Sequence, residues 1–104
     1  MAVRLEIRPL RADDPPVIAA AFEELGWPKP VTQYERYLAE QAAGTRDVLV
    51  ATVDGAYAGY LTVRWESPYE PFSRIPEIQD FNVLPKLRRQ GIGSALMDAA
   101  EALV

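Results

Sequence analysis

The chain has 104 residues, 49% of them hydrophobic and 25% charged, with a formal net charge of −4. That is the make-up of one domain with its own core, and the acidic balance argues against nucleic acid, whose phosphates are met by net positive surfaces. With no cysteine and no histidine, disulfides, thiolate metal sites, a cysteine nucleophile and the usual general base are excluded, and no metal is expected. No apolar run is long enough for a membrane span and no charged-then-apolar leader precedes the first strand, so the sequence reads as a cytoplasmic protein with no membrane partner.

In chain order, Leu5 and Ile7 alternate with Arg4, Glu6 and Arg8, the pattern of a half-buried strand. Asp13-Asp14-Pro15-Pro16 predicts a helix start, with Asp14 as N-cap and Pro15 at the first helical position. Ile18, Ala21, Phe22 and Leu25 recur at helical spacing, and Gly26 ends that helix. After the stiff connector Trp27-Pro28-Lys29-Pro30, the run Thr32-Gln33-Tyr34-Glu35 reads as a capping box opening a second helix that ends near Gly44. Tyr34 and Tyr37 share a face of that helix and are assigned to the core. Residues 47–53 form a β-branched strand, Asp54-Gly55 a hairpin turn, and residues 56–65 the partner strand. Residues 66–74 are a loop, 76–83 a further strand and 92–104 a helix, with no repeat, low-complexity tract or linker between them.

The strand at 76–83 has a parity conflict. Ile78, Phe81 and Val83 are its apolar positions, yet a regular strand cannot place all three on one face. A β-bulge near Gln79-Asp80 restores the parity; the alternative is that Ile78 faces a second apolar layer.

This strand runs into a loop of glycines and basic residues. Gly91 and Gly93 permit a tight turn and close approach of a ligand to the backbone. Amides from Arg89 to Ser94 converge on the start of the following helix, and Arg88 and Arg89 add charge and forked donors. The inference is a polyphosphate-bearing ligand at a strand-to-helix turn. A Walker loop is excluded because Gly93 is followed by Ser94-Ala95, and a dinucleotide fingerprint because position 96 is leucine.

What remains, Arg88-x-x-Gly91-x-Gly93 behind Phe81-Asn82-Val83-Leu84-Pro85, resembles the coenzyme A loop of the GNAT family, the Gcn5-related N-acetyltransferases. The family pattern is Gln/Arg-x-x-Gly-x-Gly/Ala after a strand ending in an apolar-x-Val-x-Pro run. Asp54-Gly55 and Gly59-Tyr60 also match places where the family often has a turn and a glycine-apolar pair. The resemblance covers nearly the whole chain, but only Arg88 to Gly93 is specific. It implies an α/β fold of the α+β type: strand, two helices, three strands and a helix, with the first four strands antiparallel in a GNAT-like mixed sheet. The family's carboxy-terminal strand, helix and hairpin are absent from this sequence, so residues 1–104 are expected to be a single, apparently truncated acetyltransferase domain.

The activity implied is transfer of an acetyl group from acetyl-CoA to a primary amine, on a small molecule or a peptide, by direct attack. Backbone groups of Phe81, Asn82 and Val83 are expected on the pantetheine arm and the thioester. Arg88, Arg89, Gln90, Gly91, Ile92, Gly93 and Ser94 are expected around the pyrophosphate. The attacking ammonium must lose a proton, and without histidine the candidate acceptors are Asp80 and Glu77. Asn82 would orient the acetyl group or turn outward. Residues 66–72, rich in acids and aromatics, and Trp27 are candidate walls for a cationic amine or simply packing. Two other classes stay open: a non-catalytic acyl-CoA-binding module, or an interaction module whose open sheet edge pairs with a second copy as a homodimer.

Overall fold

The computed structural model describes residues 4–65 and 77–103. Four strands, β1 (Leu5–Pro9), β2 (Arg46–Val53), β3 (Ala56–Arg64) and β4 (Glu77–Val83), form one sheet in the order β1-β2-β3-β4 with every neighbouring pair antiparallel. Helices α1 (Asp14–Glu24) and α2 (Val31–Ala43) fall between β1 and β2, and α3 (Ile92–Ala102) follows β4. This is the order expected of the GNAT-like α+β architecture. The loop at 66–74, the strand start at Pro76 and the helix end at Val104 lie outside the described residues.

The sheet has an apolar core on each face, because its strands alternate side chains between two helical layers. On one face Val48, Val50 and Tyr60 pack with Leu10, Ile18, Phe22, Tyr34 and Tyr37 of α1, α2 and their approaches. On the other, Leu49, Ala51, Ala58, Leu61 and Val63 pack against Ile92, Leu96 and Ala100 of α3. Ile7 of β1 joins the α3 side, as its alternation requires.

The turn Asp54-Gly55 is the expected hairpin: both residues have positive φ, at 51° and 84°, and Val53 pairs with Ala56 across two loop residues. A bulge at Ala58, which lies between the pairs Ala51–Gly59 and Thr52–Tyr57, shifts parity so that Tyr57 and Tyr60 both face α1 and α2.

Two helix starts differ from expectation. Asp13 is the N-cap of α1, and Asp14 is already helical. Its carboxylate is drawn instead into a bidentate pair with Arg8 (2.7 and 2.8 Å) and accepts the Arg11 amide (2.7 Å), a stronger set of partners than an N-cap offers. α2 begins at Val31 with Pro30 as N-cap and no side-chain cap bond, so Thr32 and Glu35 form no capping box. Pro30, with φ −68° and ψ 139°, sets the chain direction two residues before the expected cap at Thr32. Gly44 ends α2 in the left-handed conformation, as expected. No helix among the described residues is long and apolar enough to cross a membrane.

Candidate active site

β4 carries the expected bulge. Thr62 pairs with Gln79 and Leu61 with Phe81, so Asp80 is the extra residue, at φ 62°. Aspartate tolerates this conformation better than most side chains. Ile78, Phe81 and Val83 thereby come opposite Val63, Leu61 and Gly59, all on the α3 face, which resolves the parity conflict. Gln79 and Asn82 fall opposite Thr62 and Tyr60, on the face of α1 and α2.

Asp80 meets four side chains from three elements. Its Oδ2 accepts from Tyr60 Oη (2.6 Å), Tyr37 Oη (2.9 Å) and Gln33 Nε2 (3.1 Å). Its Oδ1 faces Lys29 Nζ at 3.8 Å, from the connector between α1 and α2. Lys29 Nζ also lies 4.7 Å from the Phe22 ring centre, a cation–π contact. Tyr60 has one proton and gives it to Asp80, so the 3.3 Å contact between Tyr34 and Tyr60 hydroxyls runs from Tyr34 to Tyr60.

Burial, and then the Asp80 carboxylate, push the Tyr60 and Tyr37 phenols up from the ordinary value. Burial likewise pushes Tyr34 up to about 12. All three therefore remain donors across the pH range of a working enzyme.

A second group fixes the segment before the bulge. Arg46, 6% exposed, donates to Glu40 (3.0 Å), Thr62 (2.8 Å) and the Gln79 side chain (3.3 Å), and its guanidinium lies over the Tyr37 ring at 4.5 Å. Thr62 Oγ1 in turn donates to the Gln79 carbonyl. The bulge is thus clamped from the buried side by polar groups that have each found a partner.

The other edge of β4 is open among the described residues. Leu84 N–H donates to Ala58 O (2.8 Å), which marks Gly59–Val83 as a pair without mutual hydrogen bonds. By alternation Asn82 exchanges bonds with Tyr60, and the N–H and C=O of Phe81 and Val83 point to the open edge. Asn82 therefore has its backbone turned toward β3, and its half-buried side chain lies on the same face as Asp80 and its partners. Glu77 is exposed at the start of β4, opposite Arg64. Gly59 has a steric reason to be glycine: a Cβ there would come within 2.5 Å of the Asn82 carbonyl oxygen.

Downstream of β4, a single 3-10 turn at Pro85–Leu87 leads to α3. Arg89 and Gly91 have positive φ, 68° and 81°, and fold the chain back at the head of the helix. Gly91 is the N-cap and supplies no side-chain acceptor, while the first helical bond runs from Ala95 N–H to Gly91 O. The amides ahead of Ala95 therefore point out of the helix end. Ile92 is buried and anchors the turn; Arg88, Arg89, Gln90 and Ser94 are exposed around it. A Cβ on Gly93 would touch the Phe81 ring at 3.4 Å, so the small residue lets α3 start close to β4. Arg88 Nε reaches back to the Val83 carbonyl (3.1 Å), so one outward group of β4 is shared with the loop.

The sequence comparisons assign a family to this arrangement, an antiparallel sheet whose bulged edge strand leads into a glycine turn at a helix head. Residues 7–104 match the family model described as acetyltransferase (GNAT) family, and the chain belongs to that family. No curated protein matches the sequence. Among solved structures, the chain is similar to an N-acetyltransferase from Staphylococcus aureus Mu50, with TM-score 0.78 and 17% identity, over 95% of this chain and 65% of that one. It is also similar to ribosomal-protein-alanine N-acetyltransferase from Brucella melitensis, with TM-score 0.77 and 22% identity over 93% and 65% of the two chains. A third likeness is to AAC(6')-Iy in complex with the bisubstrate analogue CoA-S-monomethyl-acetylneamine, with TM-score 0.74 and 19% identity over 95% and 70%. The chain thus spans about 65% of the length of the first two neighbours.

Sequence reading picked out Asp80 but missed what surrounds it. Gln33, Tyr37 and Tyr60 were legible only as helix-face or strand residues, because their partner lies 20 to 47 positions away. Lys29 carried no signal beyond its place between two prolines.

Proposed function

We infer that this chain binds acetyl-CoA and supplies the donor-binding half of an N-acetyltransferase acting on a primary amine. The observation that carries the reading is the Asp80 bulge, which opens the backbone of Phe81 and Val83 at a strand edge leading straight into the Arg88–Ser94 turn. The outward N–H and C=O of Phe81 and Val83 suit the amides of a pantetheine arm, whose spacing matches an extended strand. The amides of the turn, with Arg88 and Arg89, suit the pyrophosphate.

Acetyl-CoA supplies an activated acyl group as a thioester; the residues of this chain orient it and handle the acceptor's proton. Asp80 has Oδ2 fixed by three donors and turns Oδ1 to the face of α1 and α2, where Lys29 Nζ stands 3.8 Å away. It is our candidate to accept the proton of the attacking ammonium, directly or through water. Glu77, exposed at the strand start, is the second candidate. Asn82, whose side chain lies on the same face as Asp80, is our candidate to orient the acetyl group. An acceptor amine is consistent with two neighbours, one a ribosomal-protein-alanine N-acetyltransferase and the other in complex with a coenzyme A–acetylneamine bisubstrate analogue.

Calorimetric titration of acetyl-CoA into the chain tests the reading. Saturable binding is expected, weakened roughly tenfold by Arg89→Ala through loss of a charge-assisted contact. Absence of binding overturns it. A non-catalytic acyl-CoA-binding role is the competing reading, favoured by the full occupancy of Oδ2. Release of free coenzyme A thiol on addition of amines separates the two.

A further inference from the structure

We propose that Lys29 is an acetyl acceptor within its own chain. This rests on the preceding reading of β4 and its loop as the acetyl-CoA site. The chain has two lysines, Lys29 and Lys86. Lys86 is exposed in the turn after β4. Lys29 is different: its ammonium lies 3.8 Å from Asp80 Oδ1 and 4.7 Å from the Phe22 ring centre, with its side chain 29% exposed.

A carboxylate beside an aromatic face is the kind of setting that receives an ammonium ion. Here the setting is already filled by a side chain. Tyr60, Tyr37 and Gln33 take up Oδ2, so Oδ1 is the oxygen left for an incoming amine, and Lys29 stands before it. Asp80 directly precedes Phe81, whose outward backbone begins the edge assigned to the thioester end of the donor. Pro28 and Pro30 restrict the backbone on both sides of Lys29, which limits the backbone part of the ordering that the contact requires.

The reaction balances without any further reagent. Lys29 gives one ammonium proton to Asp80 through a bridging water that spans the 3.8 Å gap, and its free Nζ attacks the acetyl carbonyl carbon of acetyl-CoA. The N–C bond forms, the C–S bond breaks, and the electron pair leaves on sulfur. The second nitrogen proton goes to the thiolate, giving coenzyme A thiol, and Asp80 returns its proton to solvent. The product is an uncharged amide, which dissolves the Lys29–Asp80 ion pair and uncovers Oδ1 for an external amine.

The test is peptide mass spectrometry of the chain after incubation with acetyl-CoA, with coenzyme A binding measured in parallel by calorimetry. Lys29 is expected to be acetylated on the order of 100-fold faster than Lys86, the size of a positioned proton acceptor's contribution. Heat-unfolded chain and Asp80→Asn are expected to lose that preference, while Lys29→Arg gains no acetyl group at position 29. The Lys29 to Lys86 ratio in the unaltered chain keeps the test valid if Asp80→Asn fails to fold. Equal labelling of both lysines, or none at Lys29 while coenzyme A binds, overturns the proposal and leaves the donor site standing. Absence of coenzyme A binding removes the donor site and the proposal together.

Discussion

At the scale of single residues, the informative feature is how a half-buried carboxylate is satisfied. Asp80 holds three donors on one oxygen, from Tyr60, Tyr37 and the Gln33 amide, and burial extends the pH range over which the two phenols stay protonated. Tyr60→Phe removes the shortest of these bonds and is expected to lower stability by about 1–2 kcal/mol in urea titrations, since a bond to a charged group is lost. Asp14 shows the opposite balance. Burial alone would raise its pKa, but the Arg8 pair and the Arg11 amide outweigh that and hold it below the usual carboxylate value. Its folded pKa thus lies below the unfolded one, so its stabilisation is present above the unfolded value and is lost as pH falls through the folded value. Asp14→Asn is expected to cost about 2 kcal/mol near neutrality. The difference from the unaltered chain should shrink in unfolding curves recorded below about pH 4.

At the scale of elements, β4 depends on a bulge and on its neighbour's lack of a side chain. Gly59→Ala drives a Cβ against the Asn82 carbonyl, which is backbone and cannot rotate away. We expect a loss of about 1–3 kcal/mol and weaker coenzyme A binding, as overpacking pushes β4 outward. A stability unchanged within error would contradict the close approach. The bulge itself was legible in the sequence because strict alternation cannot accommodate Ile78, Phe81 and Val83 on one face, and the Asp54-Gly55 turn because its chemistry is local. The starts of α1 and α2 were misplaced for a complementary reason. Asp14 has a capping side chain, but Arg8 competes for it from a neighbouring strand, and no local rule weighs that partner. The long-range polar cluster at Asp80 was illegible on the same ground, whereas the glycine turn before α3 was readable because its glycines and arginines are contiguous.

At the scale of the whole molecule, a core with buried phenols has a consequence for alkaline stability. Tyr34, Tyr37, Tyr57 and Tyr60 all have raised phenol pKa values, with Tyr34 up to about 12, and burial is the first cause in each. Folded values above unfolded ones mean that this stabilisation is complete below the ordinary phenol value of 10.0 and falls as pH rises through the folded values. Ultraviolet titration should therefore show these four phenols failing to ionise near pH 10 in the native chain, then ionising together as it unfolds. Four phenols titrating independently near pH 10 in folded protein would contradict the packing around Tyr60.

The central claim is that the open edge of β4 and the head of α3 form one continuous donor site. It is tested most directly by titrating acetyl-CoA into isotope-labelled chain and following backbone amide resonances. The largest shifts are expected at Phe81, Val83 and Arg89 to Ser94, with Asn82, whose amide is committed to Tyr60, moving less. No shift along β4 and the turn at saturating acetyl-CoA, or shifts centred on the Asp54-Gly55 hairpin instead, would contradict it.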